Sequence, residues 1–413
     1  MKHLVSVDRL QPGVFISITS VRWLDHPFLL NRFRLADHEQ IRVLRSLGVK
    51  EVEWDPARSS AQPLPEAQPV EAEEDFSATA MASMLDSKRE RTERIRQQRE
   101  SLARCERLYE QEANGVQGIL QQLGSRPAEA HAHARAAVGR LVNGLVGAQS
   151  VAIHLVNMKS KEVGAAQHAM NVTVLSLLLG KEAGLDAEQL RQLGLGALFH
   201  DIGKVDVPAR VLRNPQRSPA EEQFYQAHVG YGIKHAAPMS DMATPARNII
   251  ACHHEHWDGS GFPNRLAAAR IPLLARMAAI ANRYDNLCNP FDLAQARTPS
   301  EAVAHMFRHE AGHFDPELLQ LFVKTVGVYP PGCFVLLDDG SVGLVVEANT
   351  ADLLRPLIML YDPDVPRNEA LLIDLADGAL KIESAVNPGK LPLAAVEYLA
   401  PRGRVDYYIE GVH

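Results

Sequence analysis

Two adjacent pairs of metal-binding residue types lie near the middle of the chain: His200 with Asp201 in the stretch FHDIGK, and His253 with His254 in the stretch CHHEHWDGSGFP. Imidazole and carboxylate groups together suit Fe, Mn, Ni or Zn better than Mg or Ca alone. Lys204 follows the first pair closely and supplies an ammonium group of the kind that binds phosphate. These residue types make the chain a candidate metallohydrolase.

Two further histidines belong to the same helical region. His168 shares a predicted helix face with three apolar residues, Val172, Leu175 and Leu179. His228 follows Phe224 by four residues and so lies on an apolar face as well. Either histidine alone is more typical of a hydrogen-bonded core residue than of a ligand. Five histidines and one aspartate in one helical region are too many for core packing to explain, and they predict a shared metal site.

The elements that must position these residues are predicted to be helices. His200 and Asp201 end an apolar helix, LRQLGLGALFHD, where ionisable groups are costly unless they are paired or bound to metal. Ser218 and Thr298 are each followed by a proline and, three residues after the hydroxyl, by a glutamate, which is the pattern of a capped helix start. The central region is therefore predicted to be an all-α bundle.

The regions on either side of the bundle have different patterns. Apolar residues near the start alternate as in strands, and a turn at Asp339–Gly340 separates two β-branched runs near the end. The fold class is predicted to be mainly α. The predicted divisions are a small α+β module over residues 1–56, a linker over 57–80, a charged helical segment over 81–134, the helical domain over 135–326 and a small β-rich module over 327–413. The charged segment is either a solvated helix or a surface that pairs two copies into a homodimer.

The composition excludes several function classes. A net charge of -7 and a pI near 6.2 give no overall attraction for duplex nucleic acid or for an anionic membrane. The chain has no run of about 18 apolar residues and no apolar leader at its start, so neither a membrane span nor secretion is expected. Its cysteines, Cys105, Cys252, Cys288 and Cys333, are scattered, as is typical of a reducing compartment. A cytoplasmic location is predicted.

The motifs HDIGK and HHEHWDGSGFP together resemble the HD-GYP domain, the bacterial branch of the HD phosphohydrolase superfamily that hydrolyses cyclic di-GMP. Few other families carry both motifs. The resemblance covers about residues 163–302, and the two flanking modules are similar to those that accompany some members. It implies a helical domain whose di- or trinuclear metal centre converts cyclic di-GMP to the linear dinucleotide pGpG or to GMP.

The resemblance also implies which residues bind the metals and the substrate. It places the first metal at His168, His200 and Asp201, with Asn282 at the position of a further ligand, and the second metal at Asp201, His228, His253 and His254. The implied cofactors are two divalent transition metals, Fe or Mn, with Ni or Zn as alternatives. Two metals sharing Asp201 are expected to clamp the phosphodiester and generate hydroxide from a bridging water, while Lys204 offsets phosphate charge.

Several departures from the family pattern bear on this expectation. Asn282 replaces an aspartate and removes one negative charge from the shell of the first metal. Gly164 replaces a glutamate that some members use, so a third metal is not expected. The segment that usually reads R-P-Y-R/K is Asn289–Asp292 here and lacks basic charge, which leaves Arg283 or Arg297 as the candidate substrate contact.

The family tripeptide G-Y-P reads Gly261, Phe262 and Pro263 in this chain, which removes only a hydroxyl group. This loop is a predicted contact for a diguanylate cyclase or another signalling protein. A cyclic di-GMP phosphodiesterase is the leading hypothesis. Two alternatives remain open: a weakly active or inactive receptor that binds cyclic di-GMP or a signalling partner, and an HD hydrolase that acts on another nucleotide.

Overall fold

The computed structural model of the protein describes residues 3–21, 26–28, 31–66, 111–144, 164–292, 295–349, 351–363, 370–378 and 380–400, with single positions at 93, 96, 97, 100, 107, 109, 365 and 367. The chain divides into two compact units, of which one comprises residues 1–100 and 361–372 and the other comprises the remainder. Most of the predicted linker lies outside the described residues, and so do most of residues 81–110 of the charged helical segment. The pairing of two copies through that segment therefore stays a prediction.

The N-terminal part of the first unit is a small antiparallel sheet with one helix. Its elements are β1 (His3–Ser6), β2 (Phe15–Ser17), β3 (Arg32–Arg34), α1 (His38–Ser46) and β4 (Glu51–Trp54). The strands lie in the order β1-β4-β2-β3. Asp37 caps α1 by accepting the backbone N–H of Gln40 at 2.9 Å, and Ile41 and Leu44 enter the apolar core. The predicted α+β module is confirmed.

The second unit is mostly helical, as predicted. Its helices are α2 (residues 111–122), α3 (Pro127–Gly144), α4 (Ala165–Glu182), α5 (Ala187–Phe199), α6 (Ala209–Arg213), α7 (Pro219–Gln226), α8 (His228–Ala236), α9 (Thr244–Cys252), α10 (Leu273–Cys288), α11 (Pro299–His309) and α12 (Pro316–Val326). The predicted capped starts at Ser218 and Thr298 are confirmed, since each hydroxyl accepts the backbone N–H of the glutamate three residues later. Among the described residues, no helix combines the length and apolarity needed to cross a membrane.

Helix α4 lies at the centre of the bundle. It is buried on nearly every face from Ala169 to Gly180 and packs against α5, α10 and α12. A helix that is apolar all round requires such a central position. His168 lies just before this buried run, in the first turns of α4, and its ring contacts residues at the end of α5 and on α10.

The C-terminal residues form a five-stranded sheet and a short helix. The elements are β5 (Phe334–Leu337), β6 (Val342–Glu347), β7 (Leu357–Leu360), β8 (Leu372–Asp374), β9 (Ile382–Val386) and α13 (Leu393–Leu399). The strand order is β8-β7-β6-β5-β9. The predicted turn joins β5 to β6, with Gly340 at φ 79° and the Asp339 carboxylate accepting the Ser341 N–H at 2.8 Å. The mainly α fold class with small flanking modules is confirmed.

Candidate metal centre

Six predicted ligands meet at one place in the bundle although they come from four helices. His168 lies in α4, His200 and Asp201 follow the end of α5, His228 begins α8, and His253 and His254 follow the end of α9. They form two groups that share Asp201. One group contains His168 and His200, the other contains His228, His253 and His254, and within each group the candidate ligand atoms lie within 4.8 Å of one another.

A close backbone approach positions Asp201 beside α8. Gly203 lies in the short 3₁₀ helix Ile202–Asp206, and a Cβ atom at this position would lie 2.0 Å from the carbonyl oxygen of His228 and 2.3 Å from the backbone nitrogen of Gly232. Only glycine allows this contact without displacing the backbone. The glycine of HDIGK therefore has a packing role that brings the Asp201 carboxylate within reach of the α8 histidine.

Hydrogen bonds at Nδ1 orient four of the imidazoles. His200 donates to the carbonyl of Ala197 at 2.6 Å, His228 donates to the carbonyl of Tyr225, and His253 lies 3.1 Å from the carbonyl of Ile250. His168 donates instead to Asp285 Oδ2 at 2.6 Å. Because carbonyls and carboxylates only accept hydrogen bonds, the proton of each neutral ring resides on Nδ1 and the Nε2 lone pair points into the centre.

The distances around Asp201 separate the centre into two halves. Its Oδ2 lies 3.4 Å from His168 Nε2 and 3.3 Å from His200 Nε2. Its Oδ1 lies 3.5 Å from the Nε2 atoms of both His228 and His253. Each carboxylate oxygen of Asp201 therefore faces its own pair of imidazole nitrogens.

The donor set fits a divalent transition metal. The Nε2 atoms are 3.2 Å apart in the pair His168 and His200, and 3.4 Å apart in the pair His228 and His253. Imidazole nitrogens bind zinc at about 2.0 to 2.1 Å, so two of them on one ion lie about 3 to 3.4 Å apart. Asp201 Oδ1 and His254 Nε2 are buried without a hydrogen-bond partner, a costly state that a bound cation would relieve.

Burial keeps most of these imidazoles neutral. It lowers the pKa of His200 and of His228 to about 4, and it lowers the pKa of His254 well below its usual value. Burial also opposes protonation of His168, but hydrogen bonds and charges from Asp201 and Asp285 outweigh it and raise the pKa to about 9. A proton and a cation therefore compete at His168 more than at His200, His228 or His254.

Lys204 neutralises Asp201 directly. Its Nζ lies 2.5 Å from Asp201 Oδ2 and 5.6 Å from the centre of the Tyr225 ring. Burial disfavours the ammonium, but the negative charge of Asp201 outweighs this effect and raises the pKa of Lys204. The predicted phosphate contact is therefore charged and adjacent to the candidate ligands.

The two residues predicted on α10 have partners of their own. Asn282 is buried, and its Oδ1 accepts a hydrogen bond from the Asn286 amide at 2.7 Å. Arg283 forms a two-point ion pair with Glu310, in which Nε lies 2.7 Å from Oε2. Coordination by Asn282 and substrate contact by Arg283 both stay predictions.

Asp285 supports the candidate centre, and no role for it was predicted from the sequence. It is fully buried, and besides His168 its carboxylate accepts the Asn171 amide at 2.7 Å and the Asn289 amide at 2.8 Å. The signal that could have identified it is a carboxylate on the buried face of an apolar helix, because such a group requires partners.

The Gly261–Pro263 loop packs onto the centre. The Phe262 ring stacks on His254 with centroids 4.5 Å apart and planes at 19°. The buried Glu255 carboxylate holds the loop by accepting the N–H groups of Asn264 at 2.7 Å and Leu266 at 2.8 Å. Phe262 therefore restrains a candidate ligand, while Pro263 is exposed and the predicted partner contact stays a prediction.

Comparisons with known proteins are consistent with this geometry. The HD domain family model matches residues 150–318, and a model described as a domain of unknown function, DUF3391, matches residues 2–134. The protein named cyclic di-GMP phosphodiesterase PA4108 from Pseudomonas aeruginosa is 30% identical over 363 residues, which cover 87% of this chain and 85% of that protein.

More distant similarities cover shorter stretches or have lower identity. The 3'3'-cGAMP-specific phosphodiesterase 2 of Vibrio cholerae is 32% identical over 171 residues, which are 41% of this chain and 32% of that protein. A solved structure of an HDG"Y"P protein from Bdellovibrio bacteriovorus is 18% identical with a TM-score of 0.48, and the match covers 78% of this chain and 98% of that one.

Proposed function

Because the chain belongs to the HD-GYP family of HD-domain proteins, we propose that it is a metal-dependent phosphodiesterase that hydrolyses cyclic di-GMP. The observation that carries the proposal is the position of Asp201, whose two oxygens face two separate pairs of histidine nitrogens at 3.3 to 3.5 Å. A relative that is similar over most of the chain has this activity in its name. Asp201 and Lys204 are the residues proposed to act on the substrate.

The proposed cofactors are two divalent transition metals, Fe or Mn, with Ni or Zn as alternatives. His168, His200 and Asp201 would hold one ion, with Asn282 as a further candidate ligand. Asp201, His228, His253 and His254 would hold the other. When bound, the ions supply charge neutralisation at the phosphodiester and a hydroxide from water at neutral pH.

Lys204 has the proposed role of a phosphate-binding cation. Its side chain is 24% exposed, so the protein covers it only in part. Once Asp201 is engaged by cations, the ammonium is free to donate to a nonbridging phosphate oxygen and to offset the charge that develops there. Hydrolysis of one phosphodiester of cyclic di-GMP gives pGpG, and hydrolysis of the second gives GMP.

The residues downstream of α10 distinguish this chain from the family pattern. Asn289 donates its amide to Asp285, so it supports the partner of His168. Phe291 is 65% exposed, and the Arg213 guanidinium lies 5.7 Å from the centre of its ring. Arg213 therefore brings positive charge to a segment that otherwise lacks it, which supports binding of a phosphorylated ligand.

A related substrate is the second candidate. The similarity to a phosphodiesterase named for 3'3'-cGAMP favours the idea that a cyclic dinucleotide other than cyclic di-GMP is the preferred substrate. Initial rates with cyclic di-GMP and 3'3'-cGAMP, measured separately and in competition, decide between them. A higher kcat/KM for 3'3'-cGAMP would reassign the substrate while leaving the reaction type unchanged.

The third candidate, a receptor with little or no activity, is favoured by Asn282. This residue adds no negative charge to the first metal group, and Lys204 competes with a cation for Asp201. Such a protein would bind cyclic di-GMP without producing pGpG or GMP.

The test combines metal analysis with product analysis on the same preparation. The protein is purified without oxygen, its Fe, Mn, Ni and Zn contents are measured, and cyclic di-GMP products are separated by chromatography. We expect about two metals per chain and cleavage that is lost in the double variant His200→Ala/Asp201→Ala. The exposed His133 provides a matched control, because His133→Ala removes an imidazole outside the centre. Bound cyclic di-GMP without any product in a metal-loaded protein would support the receptor instead.

A further inference from the structure

A buried tyrosine outside the HD domain match is connected to the candidate metal centre by hydrogen bonds. Tyr109 is 6% exposed and belongs to the stretch matched by the family model of unknown function. Its hydroxyl contacts the side chains of Asn171 and Gln167, both on α4. Asn171 in turn donates to Asp285, which accepts the Nδ1–H of His168. Three hydrogen bonds therefore separate the Tyr109 hydroxyl from a candidate metal ligand.

The direction of each hydrogen bond in this relay can be assigned. Asp285 only accepts, so Asn171 must present its amide nitrogen to the Asp285 Oδ1 atom at 2.7 Å and its carbonyl oxygen to the other side. Gln167 Nε2 donates to the Tyr109 oxygen and to Asn171 Oδ1, the latter at 3.0 Å. The Tyr109 hydroxyl therefore donates its proton to Asn171 Oδ1.

Together with Gln167, the hydroxyl therefore helps to hold the Asn171 amide in the orientation that Asp285 requires. A flipped amide would place the carbonyl oxygen of Asn171 against Asp285 Oδ1, and that carboxylate oxygen would then keep only the Asn289 amide as a donor. Asn171 is 2% exposed and Asp285 is 0% exposed, so water does not replace a lost partner easily. Burial, with the nearby charge of Asp285, raises the pKa of Tyr109, and the hydroxyl keeps the proton that it donates.

The helical residues around and after Tyr109 are firmly packed in the same unit as the candidate metal centre. The buried Glu112 carboxylate accepts two hydrogen bonds from Arg140 of α3, at 2.5 Å and 2.9 Å. Val116 and Ile119 of α2 are buried in the core that also contains α4 and α10. This packing fixes the position from which the Tyr109 hydroxyl reaches Asn171.

We propose that Tyr109 is a positioning residue for the first metal group: through Asn171 and Asp285 it holds the His168 ring in the orientation that binds the cation. The inference rests on the proposed function in that it assumes a metal at His168, His200 and Asp201. The inference assigns a role to the last part of the stretch matched by DUF3391: its Tyr109 helps to position a candidate metal ligand in the HD domain that follows.

The test compares the full-length protein with the variant Tyr109→Phe, which removes only the hydroxyl. Co²⁺ is titrated into metal-free protein and followed by visible absorption and calorimetry. We expect the affinity for one of two ions to fall about three- to tenfold, less than the 10- to 100-fold loss typical for a direct partner of a ligand. The affinity for the other ion stays unchanged. Tyr231→Phe on α8 is the matched control and should leave both affinities unchanged.

A second readout keeps this inference separate from the proposed function. In ¹⁵N-histidine-labelled, metal-free protein, Tyr109→Phe should shift the ring signals of His168 and leave those of His228 unchanged. Unchanged His168 signals together with unchanged Co²⁺ affinities would overturn the positioning role. If the wild-type protein binds no metal, the proposed function fails and the His168 signals alone decide the relay. If Tyr109→Phe does not fold, Gln167→Met weakens the same relay and should shift the same signals by a smaller amount.

Discussion

Asp285 accepts the Nδ1–H of His168 at 2.6 Å, and this single contact determines which nitrogen of that ring faces His200 and Asp201. The same carboxylate is held by the Asn171 and Asn289 amides. A carboxylate that orients a metal-binding imidazole also makes it a stronger ligand. Asp285 therefore orients a candidate metal ligand without belonging to either group of candidate ligands.

The variant Asp285→Asn tests this relationship. The amide that replaces the carboxylate can present its nitrogen to His168 Nδ1, which favours the tautomer with the proton on Nε2. It also removes the negative charge beside His168. We expect the affinity of one metal to fall about 10- to 100-fold while the second is retained. Metal titration of the purified protein measures this, and the exposed Asp241→Asn is the control. Equal loss of both ions would indicate that the fold, rather than His168, had been damaged.

Lys204 is predicted to have opposite effects on metal binding and on catalysis. In the variant Lys204→Met the ammonium no longer competes for Asp201, so the affinity for metal should rise by a few-fold. The loss of a cation at the phosphate should lower kcat by about 10²- to 10³-fold. Metal titration and steady-state kinetics on the same preparation provide the comparison. A variant with weaker metal binding and unchanged kcat would contradict both parts of the proposed role.

The ion pair between Glu310 and Arg283 predicts a pH-dependent contribution to stability. Burial favours the neutral form of Glu310, but the hydrogen bond and charge of Arg283, with the charge of His305, outweigh burial and lower the pKa of Glu310 below its ordinary value. A lowered folded-state pKa means that the stabilisation is present above the unfolded-state pKa and is lost as pH falls through the folded-state value.

The variant Glu310→Gln should therefore be less stable than the wild type at pH 7 and should approach it in acid. Because Arg283 is partly exposed, we expect a difference of about 1 to 2 kcal/mol at pH 7. Denaturant unfolding at a series of pH values gives the curve. Glu129→Gln removes an exposed carboxylate paired with Arg126 and should change little. A difference that grows toward low pH would show that the ion pair is not its source.

Much of the centre was predictable because its residue types are rare in apolar helices. The five histidines and Asp201 stand out in the sequence because buried ionisable groups need partners or a cation. Seven residues were predicted as metal ligands, and the structure brings together the six of them that remain when Asn282 is left out. Ser218 and Thr298 were predictable for a local reason, because each cap uses only residues within one helical turn.

The relay through Tyr109, Asn171 and Asp285 could not be predicted in the same way. Its members are separated by 62 and 114 positions in the chain, and nothing local in the sequence pairs them. Asn171 looks like an ordinary helical residue until the fold places Asp285 beside it. Arg283 was predicted from the sequence to be available for substrate. In the structure it forms an ion pair with Glu310, which lies 27 positions later in the chain.

The substitution Asn282→Asp tests whether this position belongs to the metal centre. In the structure the Asn282 amide is buried on α10, and its Oδ1 accepts a hydrogen bond of 2.7 Å from Asn286 Nδ2. A carboxylate at this position would add negative charge near the first metal group, so we expect metal affinity to rise about tenfold. The metal-free variant should be less stable, because a buried carboxylate then has no cation to compensate it.

Metal titration, thermal unfolding with and without metal, and cyclic di-GMP turnover measure the metal affinity, the stability and the activity of the Asn282→Asp variant. The exposed Asn114→Asp of α2 adds the same charge elsewhere and should leave metal affinity unchanged. Equal metal affinity in Asn282→Asp and the wild type would place residue 282 outside the metal shell.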